Sequence, residues 1–369
     1  MKKILFLIHD LGNGGAEKVL VNLVNNMDRT EYDISVTALF GGGINEQFLD
    51  SDIHYRAMFP RSIPGNSKLM KVFSPHMLHK LFIREKYDIE VAYLEGPSAR
   101  IVSGCSDENT KLVVWIHSVI HTSESLAGAF RKHSEAEECY RKFNRIVCVS
   151  QRIKKDFESM VPAIRTCEVL YNTVETEKIK KMSEEAAPII SEDKSIKLIA
   201  VGRLIPVKGY ERLLHIMEHF NYENRDVHLY ILGKGQDEKE LKAYVESHGL
   251  QEKVVFLGYD TNPYKYVAKS DIYLCSSYSE GFSTAATESL IVGTPVVTVD
   301  VSGMKEMLGE KGEYGIITEN SEEALEKGIV KLLEDQELYQ HYKKQAKIRG
   351  AFFSTENTVQ AVEKMFSEL

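Results

Sequence analysis

Residues 279–297, S-E-G-F-S-T-A-A-T-E-S-L-I-V-G-T-P-V-V, give the clearest indication of the fold. One apolar run precedes this stretch at 271–275, and a second closes it at 295–299. Two such runs, separated by a polar, glycine-containing turn and a segment of helical length, predict a strand–turn–helix–strand unit. Glu280 and Gly281 then lie where the chain passes from the first strand into the helix.

Two kinds of ligand-binding group are expected at this turn. The backbone N–H groups around Phe282, Ser283 and Thr284 have no partner within the first turn of a helix, and such groups suit a phosphate. Glu288 lies four residues beyond Thr284 and therefore on the same helical face. A carboxylate there can accept hydrogen bonds from vicinal hydroxyls such as those of a ribose. Taken alone, Glu288 can equally well be a structural cap.

Length and composition limit the possible protein classes. A chain of 369 residues exceeds one ordinary core, so two α/β domains are expected. The first 175 residues carry equal numbers of acidic and basic side chains, so the net charge of −8 belongs to the remainder. There is no general basic field for nucleic acid. The five cysteines form no C-x-x-C pair, which predicts a reduced, cytoplasmic compartment and argues against zinc.

Apolar runs alternate with helical patterns along most of the chain. The first run, 4–8, is too short for a signal peptide, and no run approaches the ~18–20 apolar residues that span a membrane. A polar, charge-rich connection at 175–197 divides the pattern into two halves. Such alternation is typical of doubly wound sheets, whose ligands bind at the carboxyl ends of strands. The predicted strands are 4–8, 34–40, 89–94, 113–117, 146–149, 197–201, 227–232, 254–257, 271–275, 295–299 and 314–318.

A glycine-rich loop follows the first predicted strand. Gly12, Gly14 and Gly15 begin like the dinucleotide motif G-x-G-x-x-G, but Glu17 occupies the sixth position, where close packing needs glycine or alanine. No acidic residue ends the next strand at Phe40, so a nicotinamide enzyme is disfavoured. The glycines either let the backbone approach a ligand closely or simply form a tight turn. Both interpretations remain open.

A second loop, G-R-L-I-P-V-K-G at 202–209, carries two cations beyond a predicted strand. Arg203 and Lys208 can neutralise a diphosphate as a sugar–oxygen bond breaks, the arginine in fork geometry and the lysine as a point charge. The simpler interpretation is a pair of surface cations. Their position at a strand end, in the same half as Glu280, favours a functional role.

Together these motifs resemble, in sequence order, the retaining glycosyltransferases of family 4. The matching residues are Gly202-Arg203…Lys208-Gly209, Gly233-Lys-Gly235, Phe256-Leu-Gly258, Glu280 with Glu288, and Gly293-Thr-Pro-Val-Val297. The resemblance begins at the Gly-Gly-Ala-Glu loop, 14–17, and covers the whole chain. It implies the GT-B fold, in which two Rossmann-like, doubly wound parallel-sheet domains face each other across a cleft. The acceptor domain would be 1–175 and the nucleotide-sugar domain 176–351, with a C-terminal helix, 352–369, packing back onto the first.

The resemblance also implies roles for single residues. Arg203 and Lys208 resemble the diphosphate clamp, Glu280 the glutamate beside the donor sugar, and Glu288 the glutamate on the ribose. His117 resembles a histidine near sugar and acceptor, although a lone histidine after an apolar strand is more often structural. The expected catalytic residues are therefore Glu280, His117, Arg203 and Lys208. The expected donor-binding residues are Gly14, Gly15, Arg203, Lys208, Gly233, Gly281, Phe282, Ser283, Thr284 and Glu288.

The implied activity is transfer of a hexosyl or N-acetylhexosaminyl group, from a donor expected to be UDP-linked, to a saccharide or lipid-linked acceptor. Bacterial surface polysaccharide or glycoconjugate synthesis, at the inner face of the cell membrane, is the expected setting. A nucleotide-sugar epimerase, an inverting transferase and a non-catalytic sugar-nucleotide-binding partner are the alternatives. No cofactor or metal is expected. Asp50-Ser-Asp52 is formally a D-x-D motif but lacks the rest of that pattern, and two cations already serve the phosphates.

Segment 68–86 bears on a possible membrane partner. Ser74-Pro75 is a helix start, after which Met77, Leu78, Leu81 and Phe82 are predicted to share a face. Five basic residues surround this face and Glu85 alone opposes them: Lys68, Lys71, Lys80, Arg84 and Lys86. A basic amphipathic helix can rest on a membrane that carries a lipid-linked sugar. The sequence favours the plainer interpretation, a packed helix with a solvated basic side.

Overall fold

The computed structural model describes residues 1–12, 14–61, 70–120, 122–162, 164, 167–188, 190 and 194–369. The chain forms two compact units. The first comprises Met1–Val174 and Thr355–Leu369, and the second comprises Glu175–Ser354. The domain boundary predicted after residue 175 lies one residue from this division, and the second unit extends three residues beyond the predicted 351.

In the first unit the described strands form one parallel sheet in the order β3-β2-β1-β4-β5-β6-β7. The five strands predicted here are present. The sequence missed β3 and β7, which lie at the two edges of the sheet and are less buried than the central strands. The strands are β1 (Lys2–Ile8), β2 (Tyr32–Phe40), β3 (His54–Phe59), β4 (Ile89–Ala92), β5 (Lys111–Ile116), β6 (Arg145–Cys148) and β7 (Cys167–Val169).

The second unit contains a six-stranded parallel sheet in the order β10-β9-β8-β11-β12-β13. Counted within each unit, both sheets contain the order 3-2-1-4-5-6 of doubly wound dinucleotide-binding folds. The predicted α/β architecture is therefore confirmed. The strands are β8 (Ile196–Val201), β9 (Val227–Leu232), β10 (Val254–Gly258), β11 (Ile272–Cys275), β12 (Val296–Val299) and β13 (Ile316–Thr318).

Helices connect the strands. In the first unit they are Gly15–Asn26, Pro75–Phe82, Pro97–Val102, Ser123–Leu126, His133–Tyr140, Gln151–Met160 and Thr355–Ser367, with a short 3-10 helix at Ile44–Phe48. In the second they are Thr176–Ser183, Tyr210–Tyr222, Glu238–Ser247, Tyr264–Lys269, Thr284–Val292, Met304–Leu308, Glu322–Glu334 and Gln336–Phe352, with a 3-10 turn at Pro206–Lys208. In the described part of the chain, no helix combines the length and apolarity needed to cross a membrane.

The connection predicted at 175–197 needs correction, because its first part is a helix. Ile179 of Thr176–Ser183 is buried, and the carbonyl of Met182 accepts a hydrogen bond from Asn262 Nδ2 at 2.9 Å. A single buried apolar side chain in eight residues gives almost no periodic signal. The segment therefore belongs to the second unit.

The helix Thr355–Ser367 completes the core of the first unit. Phe366 is fully buried, and its ring meets Phe6, Tyr32 and Trp115 edge-on at centroid distances of 6.1, 6.2 and 6.3 Å. Edge-to-face aromatic packing of this kind adds to the stabilisation from apolar burial. The helix begins at Thr355, three residues inside the predicted C-terminal segment 352–369, because residue 352 ends the preceding helix.

The face predicted for the helix Pro75–Phe82 is only half correct. Leu78 and Phe82 are buried in the first unit, whereas Met77 and Leu81 are exposed. The four residues therefore form two neighbouring stripes, one packed inward and one facing solvent. Residues 68 and 69 of the predicted membrane segment lie outside the described residues.

Candidate active site

The second sheet has its topological switch point between β8 and β11. The chain leaves β8 toward β9 and β10 on one side, and returns to build β11, β12 and β13 on the other. Leu198 pairs with Ile272 and Ile199 with Tyr273, so the two strands end side by side. Loops after neighbouring strands at a switch point part from each other and leave a crevice for a ligand. These loops are 202–209 and 276–283.

Hydrogen bonds hold the two loops together and attach the second loop to the helix Tyr210–Tyr222. The backbone N–H of Tyr278 donates to Val207 O at 2.8 Å, and Ser276 Oγ donates to Lys208 O at 2.9 Å. Arg212 Nη1 donates to Ser276 O at 3.2 Å, and its guanidinium also lies 3.7 Å from the centre of the Tyr278 ring. Arg212 is itself buried. It therefore acts as a fixed support beneath the loop that carries Glu280.

Gly209 makes this close approach possible. Its φ of 63° is in the left-handed region, and a Cβ at this position would lie 2.4 Å from Ser276 O. A side chain would both strain the backbone and push the two loops apart. The glycine that opens the predicted helix thus has a packing role at the switch point.

Lys208 and Glu280 meet where the two loops join. Lys208 Nζ lies 2.7 Å from Glu280 Oε1, and Ser277 Oγ donates to the same oxygen at 2.6 Å. Both charged side chains are largely buried, which strengthens their mutual attraction relative to water. Burial, together with the charge of Glu280, raises the pKa of the Cys275 thiol, so that thiol stays protonated beside the carboxylate. The sequence predicted both charged residues but not their direct contact.

Arg203 supplies a second cation at the end of β8. Its side chain is exposed, and within the described residues it makes no hydrogen bond or ion pair. Its five N–H groups are therefore available to an anion in solution. An exposed arginine beside a paired lysine suits a ligand with more than one negative charge.

Glu288 and the residues before it show how the helix Thr284–Val292 begins. Ser283 is the N-cap, and its Oγ accepts from Ala286 N at 3.3 Å. The side chain of Ser283 therefore satisfies the backbone amide of Ala286, which is one of the amides of the first turn. Glu288 is 6% exposed, and its Oε1 accepts from Tyr264 OH at 3.4 Å. Its predicted contact with a ribose stays a prediction.

Two more predicted donor-binding residues have packing roles. The Phe282 side chain is buried, with its ring 5.8 Å from that of Phe353, and a Cβ at Gly303 would lie 2.8 Å from Phe282 Cδ2. A Cβ at Gly233 would lie 1.8 Å from Gly202 O, so glycine is needed where the ends of β8 and β9 meet. Gly281 lies next to the contact between Phe282 and Gly303, since its carbonyl oxygen would be 3.2 Å from a Cβ at Gly303. Donor binding by these residues, and by the Ser283 and Thr284 amides, stays a prediction.

The first unit carries the remaining predicted residues. Gly14 is the N-cap of the helix Gly15–Asn26, and a Cβ on it would lie 2.1 Å from Glu17 Oε2. The missing side chain therefore leaves room for the Glu17 carboxylate to fold back over the loop. Gly15, the other glycine predicted to bind the donor, is the first residue of this helix, and Asn13 lies outside the described residues.

His117 follows β5 and is held from two sides. Its backbone N–H donates to Glu95 Oε2 at 2.9 Å, and its ring lies 5.0 Å from that of Tyr93. Burial lowers the pKa of His117 to about 3, against an opposing hydrogen bond with the Tyr93 backbone. The ring is therefore neutral near pH 7. Its Nε2 is buried and has no hydrogen-bond partner among the described residues.

Sequence reasoning missed three supporting residues, namely Arg212, Ser277 and Glu95. Ser277 and Glu95 each lie within a few residues of the carboxyl end of a strand, where ligand-facing polar groups gather. Arg212 lies in the first turn of the helix that Gly209 opens. A charged residue in the first turn of a helix that begins after a glycine-ended loop could have indicated this supporting role. In the Asp50-Ser-Asp52 motif, Asp52 Oδ2 forms an ion pair with Arg29 Nε at 2.8 Å, so this carboxylate already has a partner within the protein.

Comparison with known proteins shows which protein family the sequence matches. Residues 13–178 match the model described as Glycosyltransferase Family 4, and residues 182–349 match that of Glycosyl transferases group 1. The chain belongs to the family 4 glycosyltransferases. The predicted family is confirmed, and the enzyme is a glycosyltransferase.

Relatives of this glycosyltransferase span its whole length. It is 29% identical over 361 residues to the N-acetylgalactosamine-N,N'-diacetylbacillosaminyl-diphospho-undecaprenol 4-alpha-N-acetylgalactosaminyltransferase of Campylobacter jejuni, covering 96% of each chain. It is 23% identical to an uncharacterized glycosyltransferase of Haemophilus influenzae, covering 98% of each. Among solved structures, Anabaena HepE in complex with UDP-glucose has a TM-score of 0.79 at 20% identity, covering 100% of each chain. TarM of S. aureus has a TM-score of 0.76 at 15% identity, covering 99% of this chain and 100% of TarM. The GT-B fold is thereby confirmed.

Proposed function

We propose that this glycosyltransferase moves a hexosyl or N-acetylhexosaminyl group from a UDP-sugar to a saccharide or lipid-linked acceptor, with retention of anomeric configuration. The observation that carries the proposal is the Lys208–Glu280 pair at the switch point, with the exposed Arg203 in the same loop as Lys208. Cations at this place suit the diphosphate of a nucleotide sugar, and the carboxylate suits its hydroxyls. The UDP donor is supported by the family resemblance and by the UDP-glucose found in HepE.

The chemistry follows from where charge develops. As the bond between the anomeric carbon and the diphosphate breaks, negative charge grows on the leaving oxygen and positive charge on the sugar. Lys208 and Arg203 stabilise the first, and Glu280 stabilises the second. On the proposed front-face route, the acceptor hydroxyl attacks from the side that the diphosphate leaves, and the leaving oxygen takes its proton. The neutral His117 is proposed to bind the acceptor or sugar through one hydrogen bond.

The acceptor side of the proposal is a lipid-linked saccharide at the inner face of a bacterial membrane. The Campylobacter jejuni relative carries an undecaprenol-linked saccharide in its name, and a membrane contact through 68–86 accords with such an acceptor. No metal or cofactor enters the proposed reaction. We therefore expect transfer to continue in the presence of a chelator.

The test combines donor screening with product analysis. A panel of UDP-, GDP- and ADP-linked sugars is screened by thermal stabilisation, and the stabilising donor is incubated with a lipid-linked saccharide acceptor. We expect a UDP-sugar to stabilise the protein and proton NMR to show an α-linked product from the α-linked donor. A β-linkage would identify an inverting transferase, and sugar isomerisation without acceptor an epimerase. Stabilisation without turnover across a broad acceptor panel would identify a binding partner.

A further inference from the structure

The first unit exposes a compact group of apolar side chains around the start of the helix Pro75–Phe82. Val72, Met77 and Leu81 are 70%, 55% and 48% exposed, and Phe73 is also exposed. Met77 and Leu81 lie one helical turn apart on the same face, and Val72 and Phe73 come directly before the helix. Four large apolar side chains exposed within ten residues are more than the scattered single residues of an ordinary surface.

Two arginines hold the loop before this helix. Arg100, only 1% exposed, donates from Nη1 to Met70 O and from Nη2 to Phe73 O, each at 2.8 Å. Arg131 donates from Nε to Lys71 O and from Nη2 to Val72 O, each at 2.7 Å. Four consecutive carbonyls are therefore satisfied by the protein. The backbone polar groups turn inward while Val72 and Phe73 face solvent, so the exposed apolar side chains belong to a fixed structure.

The inner side of the same helix is tightly attached. Leu78 and Phe82 are buried, and His79 Nε2 lies 2.8 Å from Glu90 Oε2 on strand β4. The helix therefore keeps its outer face without rearrangement. An element built in this way presents a surface that is ready to bind.

Exposed cations accompany the exposed apolar side chains, although Glu85 is exposed as well. Lys80 and Arg84 are exposed, whereas the chain as a whole carries a net charge of −8. An overall acidic protein with a local basic, apolar surface can be attracted to an anionic surface through that face. A bilayer with anionic headgroups supplies both features, because negative charge lies at its surface and hydrocarbon lies beneath.

We propose that Val72, Phe73, Met77, Leu81, Lys80 and Arg84 form a docking surface for an anionic lipid bilayer. The four apolar side chains enter the interfacial layer, and the two cations contact lipid phosphates. This proposal deepens the proposed function and rests on it for the acceptor, since a lipid-linked saccharide is met at such a surface. Binding to lipid itself needs no substrate.

Vesicle flotation of the full chain without donor or acceptor tests the proposal. Vesicles of phosphatidylcholine alone are compared with vesicles in which about one third of the lipid is phosphatidylglycerol. We expect the wild-type protein to float with the anionic vesicles and much less with the neutral ones. Met77→Ser/Leu81→Ser should bind the anionic vesicles at least tenfold more weakly, since two large apolar side chains no longer leave water. Lys80→Ser/Arg84→Ser should lose roughly fivefold per charge, together with the dependence on anionic lipid.

The matched control is Tyr222→Ser/Ile348→Ser, which removes two exposed apolar side chains from the second unit. We expect it to float like wild type. Absence of wild-type flotation, or equal binding by the control and Met77→Ser/Leu81→Ser, would overturn the proposal. Self-association of the wild type that Met77→Ser/Leu81→Ser abolishes in sedimentation velocity would also overturn it, by showing an interface between copies. Transfer to a water-soluble acceptor, measured on the same variants, tests the proposed function separately, because docking variants should retain it.

Discussion

The two sheets share a strand order but carry different chemistry at the carboxyl ends of their strands. In the second unit the loops after β8 and β11 bring Lys208 and Glu280 to 2.7 Å. In the first unit the loop after β1 carries Gly14, against which the Glu17 carboxylate folds, and the end of β5 carries a neutral His117. Topology therefore specifies where a ligand binds, whereas the side chains specify which ligand. A charged donor suits the second unit, and a polar, uncharged group such as a sugar hydroxyl suits the first.

The largest expected effect tests the charged pair. Glu280→Gln keeps the shape of the side chain and removes its charge, so we expect turnover to fall by about 10²–10³, or ~3–4 kcal/mol of transition-state stabilisation. Donor affinity should change much less, because the charge matters most as positive charge grows on the sugar. Steady-state transfer rates and donor titration calorimetry measure the two quantities. Turnover close to wild type would show that the second unit has no special electrostatic role.

A double-mutant cycle sharpens this test. Lys208→Met alone should cost on the order of 3 kcal/mol. Because Lys208 and Glu280 are in direct contact, the double variant Lys208→Met/Glu280→Gln should lose clearly less than the sum of the two single losses. Glu322→Gln, an exposed carboxylate in the same unit, serves as the control and should leave turnover unchanged.

A smaller effect is expected from the support beneath the loop. Arg212→Met removes the hydrogen bond to Ser276 O and the stacking on Tyr278, while keeping a long apolar stem. Because Glu280 then loses its fixed position, kcat should fall by about tenfold to a hundredfold while donor KM changes little. A purely structural role would instead lower the melting temperature and leave kcat intact. Partial recovery by Arg212→Lys, which keeps the charge but not the fork, would support positioning.

The smallest effect concerns the first unit and its neutral histidine. The folded-state pKa of His117 is lowered from 6.5 to about 3, so between these pH values the unfolded chain binds a proton that the folded chain does not. This proton uptake leaves the free energy of unfolding unaffected above pH 6.5 and lowers it progressively as the pH falls from 6.5 toward 3. The free energy of unfolding, measured with urea near pH 7 and near pH 5, should fall from the first pH to the second by about 2 kcal/mol less in His117→Gln than in wild type. His54→Gln, an exposed histidine of the same unit, should behave as wild type does.

Much of the fold was predictable because the central strands are continuous apolar runs. The edge strand His54–Phe59 was not, since its side chains are only partly buried. The helix Thr176–Ser183 was missed because Ile179 alone among its apolar residues is buried. In both cases the apolar periodicity that would predict the element is weak, because an element with few buried side chains needs few apolar residues.

The candidate site was predictable in its residues but not in its contacts. Spacing placed Lys208 and Glu280 at strand ends, yet their contact depends on β8 and β11 being neighbours, which sequence separation does not reveal. The N-cap role of the Ser283 side chain was not predicted, and the expected role of its backbone amide stays a prediction. The stripe of Met77 and Leu81 was expected to share a face with Leu78, whereas packing on the first sheet divides them.

The helix Thr355–Ser367 has a consequence for how the protein is made. Residues 175–354 form one contiguous unit, so this unit can fold as soon as it has left the ribosome. The core of the first unit is completed later, because Phe366, which packs against Phe6 and Trp115, is translated only after the whole second unit. The unit whose synthesis begins first is therefore the last to have its complete core.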